Sequence, residues 1–155
     1  MMDVDYLRKT LLSNKEIVED GMKMDLYRYQ RYGVPFSISV FYSDSPKVVD
    51  IIDRFTRTSD TVVKLDTHVF CVIYGNTGYE EAFKASENIL YDMKNEHPHA
   101  KISAGMTSVT TSDIPKDMLR RALHNLGHAI KNDESSVEDD GVIDYLVQNM
   151  FNYVN

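Results

Sequence analysis

Thr61-Val62-Val63-Lys64-Leu65-Asp66-Thr67-His68-Val69-Phe70-Cys71-Val72-Ile73-Tyr74 is the stretch on which the fold turns. Two runs rich in β-branched and aromatic residues, Thr61 to Leu65 and Val69 to Tyr74, flank a few polar residues. So short a connection makes a tight antiparallel hairpin the natural pairing. A parallel pair would need a crossover helix between residues 65 and 69, and there is no room for one. The second run reads as buried on both faces, and a doubly wound parallel sheet is excluded.

Upstream, Phe36, Ile38, Val40 and Tyr42 alternate with Ser37, Ser39, Phe41 and Ser43, the period of a half-buried strand. Downstream, Ile102, Ala104 and Met106 alternate with Ser103, Gly105 and Thr107. Helical spacing fills the intervals. Residues 3 to 31 carry Val4, Leu7, Leu11, Val18, Met22 and Leu26 on one stripe, with a break expected near Ser13, where Ser13 and Glu16 form a capping-box pattern. Pro46 opens a short helix, Thr77 with Glu80 marks another, and Asp113 with Pro115 starts a third bearing a wide apolar face from Met118 to Ile130. The acidic segment Asn132 to Asp140 reads as a solvated loop, and Val142 to Tyr153 as strand, helix or both. The order predicts an α+β layer fold, a palm or ferredoxin-like antiparallel sheet packed with helices.

The chain of 155 residues fits one domain, residues 1–155, with residues 3–31 as its N-terminal helical segment. Its 43% hydrophobic and 26% charged residues are those of an ordinary globular protein. No stretch approaches a membrane span and the acidic start lacks a signal peptide's basic region, so a cytoplasmic protein with no membrane insertion is expected. A net charge of −7 disfavours a nucleic acid polymer as partner but allows a small dianion, which needs only two or three local cations. The lone Cys71 reads as a buried thiol, and no disulfide or cysteine-based metal site is available.

Three strings, in this order, resemble the GGDEF family of nucleotidyl cyclases: Leu26-Tyr27-Arg28-Tyr29-Gln30-Arg31-Tyr32-Gly33-Val34-Pro35-Phe36-Ser37, Ile102-Ser103-Ala104-Gly105-Met106, and Leu119-Arg120-Arg121-Ala122-Leu123-His124-Asn125-Leu126. The resemblance spans roughly residues 25 to 145 and implies a palm-like domain related to enzymes that make cyclic di-GMP from two GTP molecules. On the same alignment the family's signature hairpin falls on Asp66, Thr67, His68, Val69 and Phe70, of which only the Phe is retained. Two glycines that let backbone approach phosphate are replaced, and Asp66 brings negative charge there. The family's two metal-binding carboxylates align with His68 and with Tyr42, two residues before Asp44. Mg²⁺ wants oxygen ligands, so the resemblance implies a degenerate domain with no catalytic residues, no metal and no cofactor. The helices that carry ribose and guanine contacts also reduce to Pro46 to Thr56.

Arg57-Thr58-Ser59-Asp60 matches the family's inhibitory-site motif, Arg-x-x-Asp, at the family's own five-residue spacing from the hairpin. A guanidinium can pair with guanine O6 and N7 and stack on a base, while a carboxylate accepts from guanine N–H groups. Arg54, one helical turn earlier, can add a phosphate or stacking contact. The expected function is therefore a catalytically inactive receptor that binds cyclic di-GMP through Arg57, Asp60 and Arg54 and signals to a protein partner. The alternative is a nucleotide-independent interaction module, with residues 3–31 as a possible homodimer element. His97, His99, His124 and His128 suggest metal at first sight, but with no Glu between His124 and His128 and no third ligand evident, that i,i+4 pair reads as two solvated helix histidines.

Overall fold

The computed structural model describes residues 4 to 141. Its elements run α1 (Val4–Ser13), α2 (Lys15–Tyr32), β1 (Ser37–Ser43), α3 (Lys47–Ile51) with a 3₁₀ turn (Ile52–Arg54), β2 (Asp60–Lys64), β3 (Val69–Tyr74), α4 (Tyr79–Glu96), β4 (Ile102–Ser108), α5 (Pro115–Lys131) and β5 (Ser136–Glu138). The sheet order is β2-β3-β1-β4-β5. The hairpin forms as the sequence dictates, Val62 opposite Val72 and Asp60 opposite Tyr74, and β1 lies antiparallel between β3 and β4.

One expectation is corrected. The sheet is mixed, because β5 lies parallel to β4, with Ala104 opposite Val137. α5 supplies the crossover that a parallel pair requires. The acidic segment forms a strand here because its polar side chains find partners: Asn132 Nδ2 donates to Ser136 Oγ and Glu138 Oε1, each at 2.9 Å, and Ser135 Oγ accepts the Ile102 N–H at 2.9 Å. The apolar run from Val142 onward lies outside the described residues.

Period-two alternation divides the core. Ile38, Val40, Val69, Cys71 and Ile73 face α1, α2 and α5, whose Leu7, Val18, Met22 and Leu126 are buried against them. Phe41, Phe70, Val72 and Tyr74 face α3 and α4, meeting Val48, Ile52, Ala82 and Met93. Three layers result, the sheet in the middle. The N-terminal helix breaks near Ser13 as expected, but without the capping box: Asn14 forms the joint, its side-chain amide donating to Thr10 O at 2.8 Å and across to Leu65 O at 3.1 Å. α2 ends at Gly33, whose φ of 71° only glycine adopts cheaply, and whose N–H caps Tyr29 O at 2.8 Å.

Gly105 fixes the packing of α5 on β4. A Cβ there would collide with the carbonyl oxygen of Ala122 and the amide nitrogen of Leu126, so helix backbone lies directly on strand backbone. Polar bonds hold the same joint. Arg121 forms a two-pronged pair with Asp113, at 2.8 and 2.7 Å, and donates to Thr107 Oγ1 at 2.9 Å and Ser108 O at 3.0 Å. Asn125 and Thr107 donate to the two carboxylate oxygens of Asp140, at 2.8 and 2.7 Å.

Candidate functional site

After the 3₁₀ turn the chain reverses within four residues. The Asp60 N–H donates to Arg57 O at 3.0 Å, and Asp60 Oδ2 accepts the Arg57 N–H at 2.8 Å, closing a small ring of backbone and carboxylate. The same carboxylate holds the guanidinium: Arg57 Nη2 lies 3.3 Å from Asp60 Oδ1, and Nε 3.5 Å from Oδ2. Arg57 Nη2 also donates to Thr77 Oγ1 at 3.3 Å. Thr77 can accept because its own hydroxyl proton goes to Gly75 O at 2.8 Å, while its backbone is fixed by Pro35 O at 3.1 Å and Ser37 Oγ at 3.0 Å.

The predicted residues are brought together unequally. Arg57 and Asp60 form one unit, with the Asp60 side chain 2% exposed and the Arg57 side chain 56% exposed. Arg54 turns elsewhere: it pairs with Glu96 at the end of α4 and lies over the Phe55 ring, 5.4 Å from its centroid. Two residues that the sequence reading did not place in the site belong to this corner. Thr77 is the second acceptor for the guanidinium, and Asp25 of α2 comes close, since a Cβ on Gly75 would lie 3.2 Å from Asp25 Oδ1 and 3.3 Å from Ser59 O. Burial raises the Asp25 carboxyl above its ordinary value, against the pull of Arg28 at 3.9 Å. Thr77 was legible only as the first residue of a capping pattern, and Asp25 carried no signal.

At the opposite end of the sheet, Asp66, Thr67 and His68 make a turn closed by the N–H groups of Leu65 and Asp66 on Val69 O, at 2.9 and 3.1 Å. None of the three has positive φ, so this backbone has no need of glycine. Its polar groups are turned to structural partners. Asp66 accepts the Tyr6 hydroxyl of α1 and, through Oδ1, the Thr67 N–H at 2.7 Å; the Tyr6 bond, with Thr67, lowers its pKa below the ordinary carboxylate value. His68 Nδ1 donates to Ser43 O at 2.9 Å, and Phe70 stacks on Phe41 with ring centroids 4.8 Å apart. The turn acts as a ledge for α1 and for the α1 to α2 joint at Asn14.

The donors here do not fit Mg²⁺. Tyr42 packs against the His68 ring, 6.1 Å between centroids, and burial raises its hydroxyl pKa, keeping it a neutral phenol. Asp44 Oδ1 is bound by the Lys101 N–H at 2.9 Å. Among the described residues no cluster of three or more His, Cys, Asp or Glu side chains could hold a metal ion. A hard divalent cation needs about six oxygens, several of them free carboxylates or waters.

No family model matches the sequence, and no curated protein does. Solved structures do match in fold. The active GGEEF domain of a diguanylate cyclase from Vibrio cholerae aligns over 80% of this chain and 94% of its own, with a TM-score of 0.70 and 19% identity. The GGDEF domain of DgcB from Caulobacter crescentus, solved in complex with c-di-GMP, aligns over 78% and 86%, with a TM-score of 0.69 and 12% identity. Diguanylate cyclase SiaD from Pseudomonas aeruginosa, solved with its activator SiaC, aligns over 80% of this chain and 57% of its own, with a TM-score of 0.69 and 13% identity. The chain has the GGDEF-domain fold.

Proposed function

We propose that this chain is a non-catalytic GGDEF-fold signalling protein that binds cyclic di-GMP through the Arg57 turn. The observation that carries the reading is the division of labour between the two motif residues. Asp60 is buried and already engaged by three donors of Arg57, so its role is to aim the guanidinium. Arg57 keeps most of its surface in water, with donors left for guanine O6 and N7 or for a phosphate oxygen. An arginine held in place beforehand loses less entropy on binding, which favours a ligand site over a loose surface charge. Arg54 contributes only if it leaves Glu96. The nucleotide complex of a protein with the same fold supports the ligand class.

Loss of catalysis belongs to the same reading. The hairpin offers side-chain bonds where a phosphate cradle needs bare backbone N–H groups, and the nearby oxygen donors are committed. Calorimetric titration with cyclic di-GMP tests the receptor function. Binding abolished by Arg57→Ala is the expected result; absence of binding at high micromolar dinucleotide overturns it.

A second reading, a nucleotide-independent interaction module, is favoured by one observation. Ile17, Met24 and Tyr27 are exposed along α2, an apolar face outside the core. Partner capture indifferent to cyclic di-GMP and to Arg57→Ala would select it.

A further inference from the structure

Between α1, the start of α2 and α5 lies a cavity of about 300 Å³ that neither reading uses. It is lined by four leucines, Leu11, Leu12, Leu119 and Leu123, and four cations, Arg8, Lys15, Lys116 and Arg120. Leu11 and Leu119 belong to the core, but Leu12 is 64% exposed, so the lining offers uncovered apolar surface. No carboxylate lines it, although the whole chain carries 24 acidic against 17 basic residues. Among the described residues Arg8, Lys116 and Arg120 have no ion pair, and Lys15 has only Glu19 at 3.7 Å. Concentrated positive charge, three of its four cations without an ion pair, around an apolar trough on an acidic protein calls for an anionic and apolar occupant.

The spacing narrows the shape. Arg8 and Leu12 share one row of α1, Lys15 opens α2 just past the Asn14 joint, and Lys116, Leu119 or Arg120, and Leu123 follow one row of α5. Two such rows form a groove that takes the ridge of a third helix, leucine-like side chains in the trough and acids against either wall. A second copy docked by two-fold symmetry would set these four cations against themselves. A bilayer surface is flat and cannot fill a recess between helices, and a polynucleotide has no use for the apolar lining.

We propose that the α1/α5 groove is a docking site for an acidic amphipathic helix of a protein partner. The probe is a labelled peptide of about 18 residues, five helical turns, with leucines at i, i+3, i+4 and i+7 flanked by glutamates. It is titrated into the full chain without cyclic di-GMP, beside the same peptide carrying lysines. The glutamate peptide is expected to bind, with affinity falling as salt rises, about tenfold on Lys116→Glu with Arg120→Glu, and comparably on Leu12→Glu. All three positions are exposed, and circular dichroism verifies that each variant folds. Equal binding of the two peptides, no binding, or indifference to the variants overturns the proposal. So do binding to phosphatidylserine vesicles that these variants abolish, a dimer that Leu12→Glu dissociates, and peptide binding gained only when residues 142–155 are removed.

Discussion

The Asp60 carboxylate is 2% exposed beneath an Arg57 side chain that is 56% exposed, so of the motif's two charged groups only the guanidinium meets solvent. Arg57→Ala should lower cyclic di-GMP affinity by a factor of ten or more, since a hydrogen bond to a charged group is worth about 1.5–3 kcal/mol. Arg57→Lys should not restore it, because an ammonium lacks the planar fork. Asp60→Asn should cost less than Arg57→Ala, and Arg54→Ala less again. Calorimetry on the four variants gives the ranking; a larger loss at Arg54 than at Arg57 contradicts it.

Incubation with GTP and Mg²⁺ or Mn²⁺ should yield no dinucleotide product by chromatography. Asp66→Gly with Thr67→Gly should not create activity, because Tyr42 and His68 still supply no carboxylate. Product formation by the unaltered chain would refute the non-catalytic reading.

Gly105→Ala should be among the most damaging single changes. The added methyl meets the backbone of α5 at Ala122 and Leu126, which cannot rotate away as a side chain would. A loss of about 3 kcal/mol or more is expected by urea denaturation. A loss below about 1 kcal/mol would mean that α5 slides freely on β4.

Asp113 predicts the shape of the acid limb. Burial pushes its carboxyl upward, but the Arg121 bonds and the Thr110 N–H at 2.7 Å outweigh it, so it titrates below the ordinary carboxylate value. A depressed folded-state pKa contributes stability that is fully present above the unfolded value of about 3.9 and is lost as pH falls through the folded one. Arg121→Met should therefore destabilise at neutral pH by about 3 kcal/mol, leaving a buried carboxylate unpaired, and should flatten the decline in stability below about pH 4. Unfolding midpoints at neutral and acid pH measure both.

Cys71 is fully buried in β3, and burial pushes its thiol up to about 12. Since the thiolate is the reactive form, native protein should resist a thiol reagent, and labelling should rise only with denaturant, in step with unfolding. Rapid labelling of the native chain would show that β3 opens locally.

The hairpin, the place of β1 and the prolines that open α3 and α5 were legible because short connections and strict periods leave few arrangements. The capping boxes read at Ser13 and Thr77, by contrast, do not form, and β1 is buried on both faces rather than one. β5 was not legible: Ser136 to Glu138 is three residues long inside an acidic run, and its pairing with β4, helped by the Ile102 N–H on Ser135 Oγ, makes it a strand. The site was half legible. Arg-x-x-Asp marked the turn, but its spacing could not tell that Asp60 would face inward, that Thr77 would join from 20 positions after Arg57, or that Glu96 would claim Arg54. Those outcomes depend on contacts distant in sequence, where local pattern carries no information.

The direction of β5 bears on how binding could be watched. Because it runs with β4, the chain reaches Gly141 at the end of the sheet where Asp60 begins β2, with β2 and β5 on opposite edges. Four strand spacings separate those edges, about 19 Å. Spin labels at Thr58 and Gly141 would thus span a ruler laid across the sheet, one end on the turn proposed to receive ligand and the other at the end of β5, so that nucleotide-induced movement reads out as a change in one distance.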